Sequence, residues 1–420
     1  MTYAKELRTW FRFLDRRGVH WSDAERADVR AFQIWRTYDA QNPARVSAAT
    51  WNKGWAALTH FYRWAIECKW VERSPLGKYD RLLDNRAQGA HREKNARHSR
   101  DRWITPKDFA CWSLVGLSGY DSRPDSGGGL EPTMPDPQSR VRCIDRNVAF
   151  VELLLVTGLR LSEGGKLLVF ELPTSVHDDV PVVGKGGKLR HFRAMHPRAL
   201  HAGNAYVRTG RDRAVRRARR EGRYDHVRAE NMIEGIAQEK SGTQLRMGDG
   251  TKVHLLSLGQ ERRLQLYRRT DAGLEPAALW LSERGEPLPS PSWSKVFQAA
   301  NRRLSAERLR HFGNDRGVWV TPHSLRFTFA LFSLLAGVRA MDARTGRVPS
   351  DPFIAADYTQ IFDEVRDLLG HANTEITRNV YLEPVKGLRR TSLLHASSAA
   401  DFWEQVAGSS PLIGFGRGQE

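Results

Sequence analysis

Val148-Ala-Phe-Val-Glu-Leu-Leu-Leu-Val-Thr-Gly-Leu-Arg-Leu-Ser-Glu163 is the stretch on which the reading of this chain turns. It contains the most apolar internal run, Val148 to Leu159, which holds Glu152, and passes through Gly158 into a polar turn carrying Arg160 and Glu163. About a dozen apolar residues fall well short of the roughly 20 that a membrane span needs. The pattern is that of a long apolar helix giving way to a turn that carries Arg160.

N-terminal to this stretch, residues 1–75 read as a small helical domain. Leu7, Trp10, Phe11 and Leu14 follow helical spacing, Gly18 ends the helix, and Val29, Phe32 and Trp35 mark a second one. Trp51, Trp55, Leu58, Tyr62 and Ala65 form an aromatic-rich stripe on a third, read as core, while Lys53, His60, Arg63 and Lys69 point elsewhere. Lys53, His60 and Arg63 are candidates for a phosphate backbone or for plain solvation. Residues 76–102 form a basic linker, with eight Lys or Arg against four acids from Lys78 to Arg102. It is either solvated or laid along a polyanion. Thr105-Pro106 restarts a helix, and a Pro/Gly/Ser/Asp-rich loop runs from Asp121 to Ser139.

C-terminal to it, Val180 to Met195 has short apolar segments around Gly184 to Gly187, a hairpin signal that sets Lys185 at the tip and Lys188 beside it. An arginine-rich segment follows, assigned to an insertion of about 197–280. Arg198 to Arg228 reads as an exposed helix or arm, with Arg213, Arg216, Arg217 and Arg220 as candidate backbone contacts or as solvated charge. Helical periodicity returns around 293–304, 322–335 and 361–369. The expected class is α+β, mainly helical with a small antiparallel sheet.

The 420 residues carry 66 Lys+Arg against 48 Asp+Glu, a net charge of +18. A charge of that sign bears on partners, and nucleic acid leads over an acidic membrane surface. Three scattered cysteines, Cys68, Cys111 and Cys143, exclude a disulfide framework and a cysteine zinc site. The polar N-terminus lacks the pattern of a signal peptide. The expectation is a cytoplasmic, nucleoid-associated protein that does not engage a membrane.

Four further elements complete a constellation. Thr157-Gly-Leu-Arg-Leu-Ser-Glu163 is followed by Gly184-Lys-Gly-Gly-Lys188, by Thr321-Pro-His-Ser-Leu-Arg326 with His323 and Arg326 on one helical face, and by Leu368-Leu-Gly-His371. Tyr381 follows in Asn379-Val-Tyr-Leu-Glu-Pro384.

In this order the elements resemble the tyrosine recombinase, or phage integrase, family, and the resemblance covers most of the chain. Residues 1–75 are similar to the family's core-type DNA-binding domain and 103–390 to its catalytic domain, the two closing on duplex DNA as a C-shaped clamp. By match to the family, Arg160 and Arg326 hold the nonbridging oxygens of a phosphodiester, His371 adds a hydrogen bond, and Tyr381 is the nucleophile. His323 takes the proton of the phenol, Lys185 protonates the departing 5′ oxygen with Lys188 as the alternative, and Glu163 orients the cations.

The implied product is a 3′-phosphotyrosyl enzyme, formed without metal, ATP or cofactor. The implied partners are double-stranded DNA, a tetramer assembled on it from a free monomer or weak oligomer, and accessory proteins. The tail, residues 391–420, packs on its own domain or on a neighbouring protomer. Phe327 stands where many members have histidine, and Gly164 and Gly165 replace apolar residues, which implies looser packing there. Two rival functions share these features: a relaxase similar to the type IB topoisomerases, and an accessory protein that binds DNA without cutting it.

Overall fold

The computed structural model describes residues 2–77, 103–184, 187–240, 242–315, 317–348, 350–371 and 373–390. The chain divides into two compact units, Met1–Arg100 and Asp101–Glu420. The linker from Lys78 to Arg102, Lys185 and the tail from 391 lie outside the described residues.

The first unit is three helices, α1 (Thr2–Asp15), α2 (Arg26–Gln33), which widens into a π turn over Ile34–Tyr38, and α3 (Ala48–Glu67). Ser47 caps α3 by accepting from the Thr50 N–H. The aromatic stripe faces inward: Trp51, Leu58, Tyr62 and Ala65 are buried against Trp10, Leu14, Val29 and Phe32. Because a buried phenol and indole need partners, Trp10 Nε1 donates to Tyr62 Oη at 3.1 Å and Tyr62 donates to the Trp21 carbonyl at 2.9 Å.

The second unit opens with α4 (Pro106–Cys111), capped by Thr105 and continued as a π turn over Trp112–Leu117. The segment expected to be loop is instead a hairpin, β1 (Tyr120–Pro124) with β2 (Leu130–Pro135). Its turn is built by Asp125, whose carboxylate accepts from the N–H groups of Gly127 and Gly129 and pairs with Lys107. Turn-forming residues read as loop because so little of either strand is apolar; Leu130 is the buried anchor.

Helix α5 (Ile144–Thr157) is the centre of the unit, buried from Arg146 to Thr157. Its one internal acid, Glu152, is paired with the buried Arg198. Gly158 ends the helix at φ 61, and the short α6 (Leu161–Gly164) follows. Gly164 and Gly165 do not loosen this region. A Cβ on Gly164 would meet Leu154 at 2.9 Å, one on Gly165 would meet Trp293 at 3.1 Å, and Trp280 Nε1 donates to the Gly164 carbonyl. The missing side chain at Gly165 lets Trp293 approach, and the one at Gly164 makes room for Leu154.

Strands β3 (Val180–Val183) and β4 (Leu189–Phe192) form the expected hairpin. The arginine-rich segment, expected as an exposed arm, is folded: α7 (Arg198–Tyr206) packs on α5, and α8 (Asp212–Arg220) lies over a five-stranded sheet. That sheet comprises β5 (Met232–Glu239), β6 (Gly242–Met247), β7 (Lys252–His254), then, after α9 (Gln260–Arg263), β8 (Tyr267–Thr270) and β9 (Gly273–Pro276). Their order is β7-β6-β5-β8-β9, and the β5–β8 pair is parallel, so the sheet is larger than expected and mixed.

The arginines of α8, with Arg211 just before it, divide by helical face. Arg211 and Arg219 turn inward, donating to the carbonyls of Ala278 and Leu274 and converging with Arg268 on Glu275. Arg213, Arg216, Arg217 and Arg220 face solvent, opposite the buried Val215 and Ala218.

Helices α10 (Ser290–Phe312), α11 (Pro322–Thr345), α12 (Thr359–Leu369) and α13 (Thr374–Arg390) complete the unit. Helix α11, not α5, has the length and apolarity to cross a membrane, and 67% of its most apolar window is buried inside the unit, where it packs on α5.

The junction of α5 and α11 is tight at Gly158, where a Cβ would stand 2.3 Å from the Phe329 ring. Gly158→Ala should therefore destabilise the protein by about 3 kcal/mol, combining a left-handed backbone with overpacking. Urea unfolding measures it, and a loss below about 0.5 kcal/mol, the scatter of an ordinary surface change, would contradict this account of the junction.

Candidate active site

The turn after α5 carries an ion-pair network. Arg160 is the residue before α6, and Glu163 turns back on it: the carboxylate accepts from the Arg160 backbone N–H at 2.8 Å and from its Nη1 at 2.7 Å. The same carboxylate accepts from Arg190 Nη2 at 2.5 Å. Burial pushes the Glu163 carboxyl up, but the Arg190 charge and the hydrogen bonds from Arg160 and Arg190 outweigh it and hold it below the usual range. Strand β4 supplies Arg190, whose inward parity it shares with Phe192. At the end of β3 a Cβ on Gly184 would lie 3.2 Å from Glu163 Oε1.

Two helix ends supply the next partners. The last carbonyls of a helix lack intrahelical donors and carry partial negative charge. Arg326, on α11, donates to the Gly158 carbonyl at the end of α5 and to the Leu369 carbonyl at the end of α12. Arg190 donates to the adjacent Leu368 carbonyl at 2.6 Å. Burial and the neighbouring Arg160 and Arg190 push the Arg326 pKa down to about 9, still cationic at neutral pH. Arg160 and Arg190 thus pair with one carboxylate, Arg326 feels its charge while donating to carbonyls instead, and the surplus positive charge sits where water is largely excluded.

His371 follows the α12 cap, Gly370 at φ 60. Its Nδ1 lies 2.9 Å from Thr377 Oγ1 on α13. Burial, then Arg326, Arg160, Arg190 and His323, hold its pKa down to about 4. His323 is exposed on the first turn of α11, three residues before the buried Arg326. Tyr381 is 4% exposed, its ring packed on Phe327 with centroids 4.6 Å apart, and it interacts electrostatically with Arg326. The folded chain therefore gathers Arg160, Glu163, His323, Arg326, His371 and Tyr381 from four separate stretches of sequence.

Lys185 lies outside the described residues, and Lys188 is exposed beside it. Lys53 and His60 are exposed on α3, His60 stacked on Tyr3, and Arg63 is half-buried. Two members of the cluster escaped the sequence reading. Arg190 could have been found as a charge at an inward position of the hairpin, and Thr377 as the residue one helical turn before Tyr381. Among the described residues no group of three or more His, Cys, Asp or Glu side chains is placed to hold a metal ion.

Residues 1–69 match the phage integrase N-terminal SAM-like domain. Over 188 residues the chain is 28% identical to tyrosine recombinase XerD of Shewanella oneidensis, a match covering 45% of this chain and 50% of that protein. Over these stretches the chain is similar to phage integrases and tyrosine recombinases. It spans about half the length of the curated relative it matches. Among solved structures the chain is similar to the XerH site-specific recombinase bound to palindromic difH substrate, at 14% identity and a TM-score of 0.47, covering 96% of this chain and 79% of that one. It is also similar to the Tn1549 transposon integrase in complex with circular intermediate DNA, at 13% identity and a TM-score of 0.43, covering 90% and 94%.

The cationic surroundings of His371 give the chain a defined pH response. The ring binds its proton more weakly in the folded protein, at about 4, than in the unfolded chain, at 6.5. Between those values the unfolded chain takes up a proton that the folded one refuses, so stability falls as pH falls through the window. Replacing His371 by Asn should flatten that part of the stability curve, measured by urea titration at about pH 4.5 and about pH 7. An identical pH dependence in both proteins would show that the imidazole does not sit among these guanidinium groups.

Proposed function

We propose that this chain is a site-specific DNA recombinase that cleaves and rejoins strands through a tyrosine nucleophile. The observation that carries the reading is the buried excess of guanidinium charge around Glu163 with a tyrosine ring beside it. Such a surplus is matched by an anion, and fixed, planar, permanently charged forks suit the nonbridging oxygens of a phosphodiester. Double-stranded DNA is the partner that the net charge of +18 favours.

In the reaction, Arg160 and Arg326 hold the two nonbridging oxygens and stabilise the charge that gathers on them as the phosphorus becomes five-coordinate. His371 donates a third hydrogen bond. The Tyr381 oxygen attacks phosphorus as its proton passes to His323, and the bond to the 5′ oxygen breaks as Lys185 protonates that oxygen. The product is a 3′-phosphotyrosyl bond and a free 5′ hydroxyl. One phosphodiester replaces another, so the 5′ hydroxyl of a second strand reverses the step without ATP. A divalent metal has no part in this scheme, the arginines doing the work of charge neutralisation.

Exchange between two sites requires a tetramer on DNA, and integration, excision and resolution are all outcomes of the same step. Tyr381 beside Arg326 favours this reading over a protein that only binds, since binding requires no nucleophile.

A nicked substrate bearing repeats from the DNA flanking the protein's own reading frame tests the reading. With EDTA present, wild type should form a covalent protein–DNA adduct and Tyr381→Phe none. An adduct in the variant would refute the nucleophile, and efficient relaxation of a supercoiled plasmid lacking such repeats would refute site specificity.

Backbone binding outside the site is proposed for Lys53, His60, Arg63 and Lys188, and for the exposed face of α8. Replacing Arg213, Arg216, Arg217 and Arg220 together by Ala should make the slope of log affinity against log salt less negative by roughly one for each phosphate left unneutralised. An unchanged slope would return these arginines to solvent.

A further inference from the structure

The Thr377 hydroxyl is fully buried, and its one hydrogen-bond partner among the described residues is Nδ1 of His371 at 2.9 Å. Two arrangements satisfy that distance. If the ring carries its proton on Nδ1, the imidazole donates, and the threonine O–H is left as a buried donor without an acceptor. If the ring carries its proton on Nε2, the threonine O–H donates to the Nδ1 lone pair, and only spare acceptor capacity on the oxygen is unmet. A buried donor without an acceptor is the costlier defect, because an oxygen already engaged in one bond tolerates an empty lone pair.

We infer that Thr377 is a positioning residue whose hydroxyl donates to His371 Nδ1 and fixes the ring proton on Nε2, ready to donate to a phosphate oxygen. The inference rests on the function proposed above and adds the residue that makes His371 a donor. An imidazole surrounded by Arg160, Arg190 and Arg326 is uncharged, and an uncharged ring has a single N–H to give. In the wrong tautomer it would present a lone pair to an anionic oxygen. Thr377 also lies four residues before Tyr381 on α13, so both side chains share one helical face. The helix that carries the tyrosine therefore also sets the protonation pattern of the histidine, and neither can be placed without the other.

The ring nitrogen–proton NMR spectrum of the histidine-labelled full chain reads the tautomer, with His371 assigned by comparison with His371→Gln. Wild type should carry the proton on Nε2. In Thr377→Val, nearly the same shape without the donor, the Nε2–H form should lose its dominance. Adduct formation on the nicked substrate should slow about tenfold while DNA affinity stays within about twofold, the size of effect that one hydrogen bond supplies. Thr377→Ser should restore both tautomer and rate.

A wild-type ring protonated on Nδ1 overturns the inference outright, and that measurement stands even if the valine variant does not fold. A valine variant with slowed adduct formation and an unchanged tautomer also overturns it, since the threonine would then be acting only through packing. If wild type forms no adduct on any substrate, the proposed function fails by itself, while the spectrum still decides the tautomer.

Discussion

A single carboxylate, 1% exposed, between two guanidinium groups organises this molecule. Burying Glu163 is costly by itself, and the cost is offset only because Arg160 and Arg190 arrive with complementary geometry and the Arg160 backbone N–H fills a further lone pair. The carboxylate in turn fixes where the turn after α5 and the strand β4 must meet. Removing it would leave two cations facing one another in a poorly hydrated space, a loss of about 3–5 kcal/mol by the general behaviour of buried pairs. The pair is therefore better understood as a device for location than as a source of net stability.

The remaining positive charge is accommodated by helix ends. Helices α5 and α12 both stop at a glycine in the left-handed region and both leave carbonyls unpaired, which Arg326 and Arg190 collect. Gly158 and Gly370 thus act twice. Each ends a helix, and each allows close approach: a side chain at Gly158 would strike Phe329, and one at Gly370 would lie 2.6 Å from Arg190 Cδ. Phe327 takes a comparable part on the other side, offering the Tyr381 ring a flat apolar surface in place of a second imidazole.

Much of this was legible in the sequence, and the failures have physical causes. Helical stripes such as Trp51 to Ala65 and the cap at Thr105 depend on neighbouring residues alone, so local pattern found them. The β1–β2 hairpin was missed because its turn is made by Asp125 and glycines, residues equally at home in irregular loop. The five-stranded sheet was missed because its strands carry arginines and glutamates that neutralise one another across the ladder, hiding any apolar alternation. Arg211, just before α8, and Arg219 on it looked like the neighbouring arginines, and only the position of Glu275, more than fifty residues later, turns them inward. The cluster around Glu163 was visible through short motifs, whereas Arg190 and Thr377 interact with it from positions those motifs do not include.

The aromatic stacking beneath α7 bears on how the chain could be shortened. Tyr206 stacks on Trp280, which meets Trp293 edge-on, and Trp293 lies flat on Phe150 at 3.5 Å between centroids. Residues at the two ends of the arginine-rich segment are thus wedged into the middle of α5. The segment is not a detachable ornament: a chain spliced across it would lose the filling of its own central helix.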